Sequence, residues 1–587
     1  MFGLVIDAGI IITLVTMAIV GMQLRTHPRG LVILFFAEMW ERFSYYGMRG
    51  LLVFFMTQHF LFSDDAAASQ YGSYTSLVYL VPLIGGMLAD RLLGTRKAIA
   101  FGALLLVAGH TAMAIEGQPN TQILSYQGAK YEFNVEGRGA DREVRLQVGD
   151  NKYDWGASTD GGLEIKGLPK DAPIPSVLPK GSYELEIAGR QPFFEAMFYT
   201  ALSLIILGVG FLKANISAIV GQLYPKDDPR RDPGFTLYYY GINLGAFWAA
   251  ILCGFLGQNI GWWAGFGAAG IGMALGFVVF VWGKPLLEGH GEPPKPEVLK
   301  QKLFGPINKE WAVYLGTIPA LYLIYLLVQH NDIVGWMLSL VSIGMMIFFF
   351  IQITQKCTKE EGGRLILALI LISASVVFWT LFEQAGTSLN LFAERNTNLA
   401  LPGGGAMTAA QTQSFNSGFI LMLVPVFSAL WAFLGSRNMD PNPVLKFSIA
   451  LLQVGLSFLI LVWGAQFADA QYRIPLMFLI VAYLIQTTGE LCLSPVGLSW
   501  MTKLSTPTVI STLMATWFLS SSWAQYLGGY VAKLASVETV AGQVLDPAAA
   551  LATYVDVFGQ LGWWTIGIGI ALGVASPFLK KLAHGVK

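Results

Sequence analysis

Seven ionisable residues, Glu38, Glu41, Arg42, Arg49, Lys213, Glu383 and Glu490, stand inside stretches that are otherwise apolar enough to cross a bilayer. The first stretch reads Phe35-Phe-Ala-Glu38-Met-Trp-Glu41-Arg42-Phe-Ser-Tyr45-Tyr46-Gly-Met-Arg49. Glu38 and Glu41 are three apart and Glu38 and Arg42 four apart, so all three can share one helical face. Two carboxylates near one guanidinium can share its charge. Burial and the guanidinium act on a carboxyl in opposite senses, so one acid can be poised to bind and release a proton. The same three residues would equally serve as an ion-pair network locking a helix bundle. Lys213, in Gly208-Val-Gly-Phe-Leu-Lys213, adds a base to the first half, and Glu383 and Glu490 put acids in the second. Such a division suits a zwitterion whose ends carry opposite charges. An ionisable group inside a membrane helix is costly, which makes function its default reading, although any single one could snorkel to the interface. Tyr45, Tyr46, Tyr239, Asn243, Trp379, Asn416 and Trp517 accompany these charges and would line an amphipathic cavity; each alone reads as ordinary packing.

Other chemistry finds little support. The chain has no G-x-S-x-G or H-E-x-x-H pattern and only six histidines, so catalysis is not expected. Cys253, Cys357 and Cys492 are scattered and lack a Cys or His at metal-ligand spacing, so neither a metal site nor a disulfide is expected.

The elements that must position the charges are membrane helices. Hydrophobic residues make up 54% of the 587 and charged residues 13%, too few for a water-facing surface. Net charge is zero, which points to no nucleic acid or acidic partner. Apolar runs of about 20 residues predict spans near 30–60, 69–90, 97–116, 193–220, 235–258 and 262–283. A second set follows near 311–329, 333–354, 364–392, 414–435, 444–467, 474–500, 508–534 and 554–579. Basic residues collect in alternate loops: Arg25 and Arg29, then Arg91, Arg96 and Lys97, then Lys226, Arg230 and Arg231, then Lys284, Lys295, Lys300 and Lys302. The phase continues through Lys356, Lys359, Arg437 and Lys503 to Lys580, Lys581 and Lys587, which predicts that these loops and the C-terminus are cytoplasmic.

Two segments depart from this pattern. Residues 1–24 are an apolar run without the basic start of a cleaved signal, and predict an extra transmembrane or interfacial helix. Residues 117–191 hold 20 charged residues and short alternating runs at 131–135, 144–148, 163–165 and 183–187, the period of half-buried strands. They predict a β-rich extracytoplasmic insert, more readily a passive or stabilising domain than a substrate-binding one. The remaining divisions are 28–116 and 192–284 for the first bundle, 285–362 for a linker with two extra helices, and 363–587 for the second bundle.

Three motifs carry a resemblance to the proton-dependent oligopeptide transporter family of the major facilitator superfamily. Glu38-Met-Trp-Glu41-Arg42 resembles its ExxER proton-coupling motif, and Phe235-Thr-Leu-Tyr-Tyr239-Tyr-Gly-Ile-Asn243-Leu-Gly resembles its peptide-transporter signature. Gly85-Gly86-Met-Leu-Ala-Asp90-Arg91-Leu-Leu-Gly94-Thr-Arg96-Lys97 is similar to the superfamily's gating loop motif. The resemblance implies an all-α fold of two six-helix bundles, with two extra helices between them and substrate near the midplane. It implies proton coupling at Glu38, Glu41 and Arg42, with no cofactor beyond the coupling proton. The peptide carboxylate would meet Arg49 and Lys213, and the amino terminus Glu490. Tyr45, Tyr46, Tyr239, Asn243 and Asn416 would form the polar wall, with Trp379, Glu383, Ser494 and Trp517 from the second bundle. Import of di- and tripeptides is the expected function. The rivals are carriage of nitrate or another small anion, which Glu490 disfavours, and a peptide-sensing receptor. Short peptides and membrane lipid are the expected partners, and a monomer is expected. The insert and the N-terminal run are not part of the family core.

Overall fold

A computed structural model of the chain describes residues 3–225, 227–506 and 509–586. Lys226, Lys587 and the first residue of the span expected at 508–534 lie outside the described residues. An N-terminal helix α1 (Gly3–Leu24) precedes α2 (Arg29–Phe54), α3 (Asp64–Leu88), α4 (Thr95–Met113), α5 (Pro192–Gln222), α6 (Arg231–Phe255) and α7 (Trp262–Trp282). The short α8 (Pro296–Lys300) leads to α9 (Lys309–Gln329) and α10 (Asn331–Ile351). Then come α11 (Lys359–Phe382), the short α12 (Ser388–Asn396), α13 (Ser414–Ser436), α14 (Pro443–Gly464), α15 (Leu476–Leu504), α16 (Ile510–Leu534) and α17 (Pro547–Leu579). Every expected span has its helix, and the chain is a multi-pass membrane protein. Twelve helices among the described residues are long and apolar enough to cross a membrane. α2, α4 and α16 fall outside that set, α2 because the charges between Glu38 and Arg49 interrupt it.

Helix starts are written locally. Ser63 Oγ accepts the Ala66 N–H at 3.3 Å to open α3, and Thr358 with Glu361 forms a reciprocal capping box at α11. Prolines at the first turn open α5, α14 and α17, where the missing N–H is no loss.

Helices α2 to α7 pack as one bundle, and α11 with α13 to α17 as a second, joined where α3 meets α16 and α6 meets α13. This is the major facilitator arrangement. α9 packs on α3 and α5, and α10 bridges α3 and α16. At the first junction the backbones nearly touch: a side chain on Gly529 would lie 2.7 Å from the Gly72 Cα. α1 runs antiparallel along α6. Gly9 lies against Trp248, Phe247 and Ile251, Trp248 Nε1 donates to Thr13 Oγ1 at 2.9 Å, and Arg230 Nη1 donates to the Thr26 carbonyl at 3.0 Å.

Between α4 and α5 stands the β insert. One antiparallel sheet comprises β1 (Thr121–Tyr126), β2 (Ala129–Glu136), β3 (Glu143–Val148), β4 (Asn151–Tyr153) and a last strand at Glu184–Ala188, in the order β4-β3-β2-β1-last. Three short strands, Trp155–Ala157, Leu163–Ile165 and Val177–Leu178, make a second sheet. The inward residues Leu124, Phe133, Leu146, Leu163 and Leu178 share one buried core. All four alternating runs fall on strands; β1, β4 and the short strands at 155–157 and 177–178 were not anticipated.

Candidate functional site

The second bundle meets the first around a small cavity of about 160 Å³. α2 supplies Tyr46 and Arg49, and α6 supplies Tyr239 and Asn243; across from them stand Trp379 and Glu383 at the end of α11, Asn416 on α13 and Glu490 on α15. Eight of the expected pocket residues are thus brought to one space.

Why Glu383 reaches Arg49 is a matter of helix geometry. The expected span 364–392 does not run through: α11 stops at Phe382, and Glu383–Gly386 forms a 3₁₀ turn before α12. At Gly386 an added Cβ would stand 1.9 Å from the Tyr71 hydroxyl and 3.1 Å from Arg49 Nε, so only glycine lets the turn close over the pair. Arg49 Nη2 is paired with Glu383, and its Nε donates to the Tyr71 hydroxyl at 2.5 Å. The rings of Tyr46 and Tyr71 sit 5.8 and 6.0 Å from the guanidinium carbon. Glu490 is held differently. Its carboxylate accepts from the neutral groups Asn416 Nδ2 at 3.2 Å and Tyr239 hydroxyl at 3.4 Å. The amide of Asn243 donates to the Tyr239 carbonyl at 3.0 Å and stiffens that wall. The site therefore offers a cation already answered by Glu383, and an acid answered by neutral groups.

The second constellation is buried outside the cavity. Arg42 Nε lies 2.8 Å from Glu38 Oε1 and 2.9 Å from Glu41 Oε2, so one guanidinium serves both acids as the spacing predicts. Glu38 and Glu41 are 1% and 0% exposed, and Glu41 Oε1 has no hydrogen-bond partner among the described residues. Lys213 stands between the two sites. Its ammonium lies 3.6 Å from the centroid of the Tyr79 ring, and it interacts electrostatically with Glu41, Glu38 and Glu383.

Other expected residues sit elsewhere. Lys213 is screened from the cavity by Tyr79, which lines it. Tyr45 is buried with its hydroxyl unpartnered among the described residues, and Ser494 is half-buried one turn along α15 from Glu490. Trp517 packs on Gly497, where a Cβ would stand 2.4 Å from its ring, so it fills the seam between α15 and α16. Neither Ser494 nor Trp517 lines the cavity. Tyr79, Tyr483 and Gln486 do, without having been anticipated. The signal for two of them was available: Tyr483 and Gln486 precede Glu490 by seven and four residues, on one helical face.

The loop motif is clamped to the linker. Gly86 ends α3 against Ala214, Asp90 and Arg91 are exposed, and Arg96 grips Glu292 with two bonds of 2.7 and 3.1 Å. Hydrogen bonding from Arg96 holds the Glu292 carboxyl below the usual carboxylate range.

With this geometry in place, the decisive likeness is one of family: the model of the POT family matches residues 96–546. This chain belongs to the POT family. It is 32% identical to the uncharacterized transporter YclF of Bacillus subtilis, over 95% of this chain and 96% of that protein. It is 29% identical to the dipeptide and tripeptide permease A of Pectobacterium carotovorum, over 97% and 94% of the two chains. A mutant of the peptide transporter POT, solved in complex with alafosfalin, superposes with a TM-score of 0.70 at 31% identity, covering 95% of this chain and 96% of that one. The major facilitator arrangement of this POT transporter is therefore shared by a solved structure across its length.

Proposed function

We propose that this POT transporter imports di- and tripeptides together with protons by alternating access. One observation carries the reading: a cavity between the bundles holds a guanidinium, Arg49, and an acid without a cationic partner among the described residues, Glu490. A peptide carboxylate would compete with Glu383 for Arg49, with Lys213 supporting that charge from behind Tyr79. The peptide ammonium would replace the neutral donors around Glu490. An anion alone would leave Glu490 facing like charge, which disfavours nitrate. Protonation within the Glu38/Glu41 pair would change how Arg42 and Lys213 are held, and so couple the proton to the cavity. By the loop charge pattern, the insert lies outside the cytoplasm, in the periplasm if the cell is Gram-negative, and the C-terminus lies inside. α1, which follows α6 from one end towards the other, spans the membrane with its start on the insert side. The test is uptake of a labelled dipeptide into proteoliposomes under a pH gradient, with unlabelled dialanine and nitrate as competitors. Competition by dialanine alone is expected; competition by nitrate alone would refute the peptide reading.

A further inference from the structure

The insert belongs by sequence to the first bundle, yet its core is completed by the second. It is fastened to the first bundle at its base: the Asn120 N–H donates to the His59 carbonyl and its side-chain amide to the Phe60 carbonyl, both at 2.9 Å. On its other flank, the two short strands Thr539–Val540 and Gln543–Val544 form a hairpin between α16 and α17. Val540, Ala541 and Leu545 of that loop are buried in the same apolar core as Leu124, Phe133 and Leu146 of the insert. Arg142 Nη2 donates to the Ala541 carbonyl at 2.5 Å, the Ala541 N–H donates to Gln122 Oε1 at 3.4 Å, and Lys180 pairs with Glu538 at 3.5 Å.

This is the same side on which the bundles are closed upon each other. Arg395, on α12, makes a buried two-pronged ion pair with Asp64, at the start of α3, at 2.6 and 2.8 Å. Asp65 pairs with Lys533, at the end of α16, at 3.2 Å. A transporter that alternates must break these contacts, and the insert spans the same gap.

We propose that the insert is a latch: by docking the 538–545 hairpin, it holds the two bundles together on the insert side and must release that hairpin before this side can open. The inference rests on the alternating-access reading. A passive decoration would need no core residues from the opposite bundle. An apolar contact of this kind, with a few hydrogen bonds, has the strength to bias a two-state equilibrium while remaining breakable.

The fold offers a clean deletion. Thr121 and Ala188 face each other across neighbouring strands, so a short Gly-Ser link can join 120 to 189 without displacing α4 or α5. Spin labels at Ile260→Cys and Ala470→Cys, both exposed, report the separation of the bundles on the insert side. The excised protein, or the milder Val540→Asp variant, should raise the ratio of open to closed distances roughly tenfold or more. An unchanged distance distribution in a monodisperse variant overturns the latch. Should neither variant fold, Lys180→Cys with Glu538→Cys, joined by a cleavable bismaleimide, decides. Cross-linking should suppress dipeptide uptake and cleavage restore it; full uptake by the cross-linked protein overturns the proposal. Failure of the unmodified protein to move dipeptide would sink the transport reading but leave the distance measurement able to test the latch.

Discussion

At the scale of residues, the proposed function assigns two buried arrangements, one to the proton and one to the substrate. Arg42 is shared by Glu38 and Glu41, so neutralising one acid leaves the helix its ion pair but removes the proton site proposed above. Glu38→Gln should therefore abolish pH-driven accumulation of dipeptide while counterflow persists, and equal pH-driven uptake by the variant would remove Glu38 from the role. Glu490→Gln removes the acid facing the cavity. A hydrogen bond to a charged group is worth about 1.5–3 kcal/mol, so the KM for dipeptide should rise roughly 10- to 150-fold. An unchanged KM in concentration-dependent uptake would place the peptide ammonium elsewhere. The charges were legible in the sequence because an acid or base in an apolar run has few bland explanations. Their neighbours were less so. Trp517 is in a seam and Lys213 behind Tyr79 because helix rotation and tilt, which are tertiary properties, decide what a side chain faces.

Among elements, the turn after α11 and the approach of α3 to α16 set the geometry. The sequence reads as one span through 364–392, and nothing local announces that Gly386 must admit Tyr71 and Arg49. Gly386→Val should separate Glu383 from Arg49 and sharply reduce uptake with the protein still folded, as thermal unfolding would check. At the other contact, Gly72→Val would force a branched side chain against the α16 backbone. Overpacking of this kind costs about 1–3 kcal/mol, which would shift the label distances between Ile260→Cys and Ala470→Cys towards the open state. No shift would mean that α3 and α16 separate freely without this contact. The alternating strands of the insert were legible from their period. Its docking on the 538–545 hairpin was not, because about 400 residues separate the partners.

At the level of the whole molecule stands a two-bundle carrier closed on one side, with a buried cluster of two acids and a guanidinium inside one bundle and a charged cavity between both. Fourteen expected spans followed from apolar runs, since a bilayer leaves a helix few alternatives, whereas the two-bundle fold followed from the resemblance carried by three motifs. A carrier of this kind must convert a proton gradient into a substrate gradient. For one proton per neutral zwitterion, each 100 mV supplies about 2.3 kcal/mol, or roughly 50-fold accumulation. The most direct test is uptake of labelled dialanine into liposomes holding the purified full-length protein, with and without an inwardly directed proton gradient. Accumulation above the external concentration that collapses when a protonophore is added is the predicted result; equilibration to the external concentration, unaffected by the gradient, would contradict it.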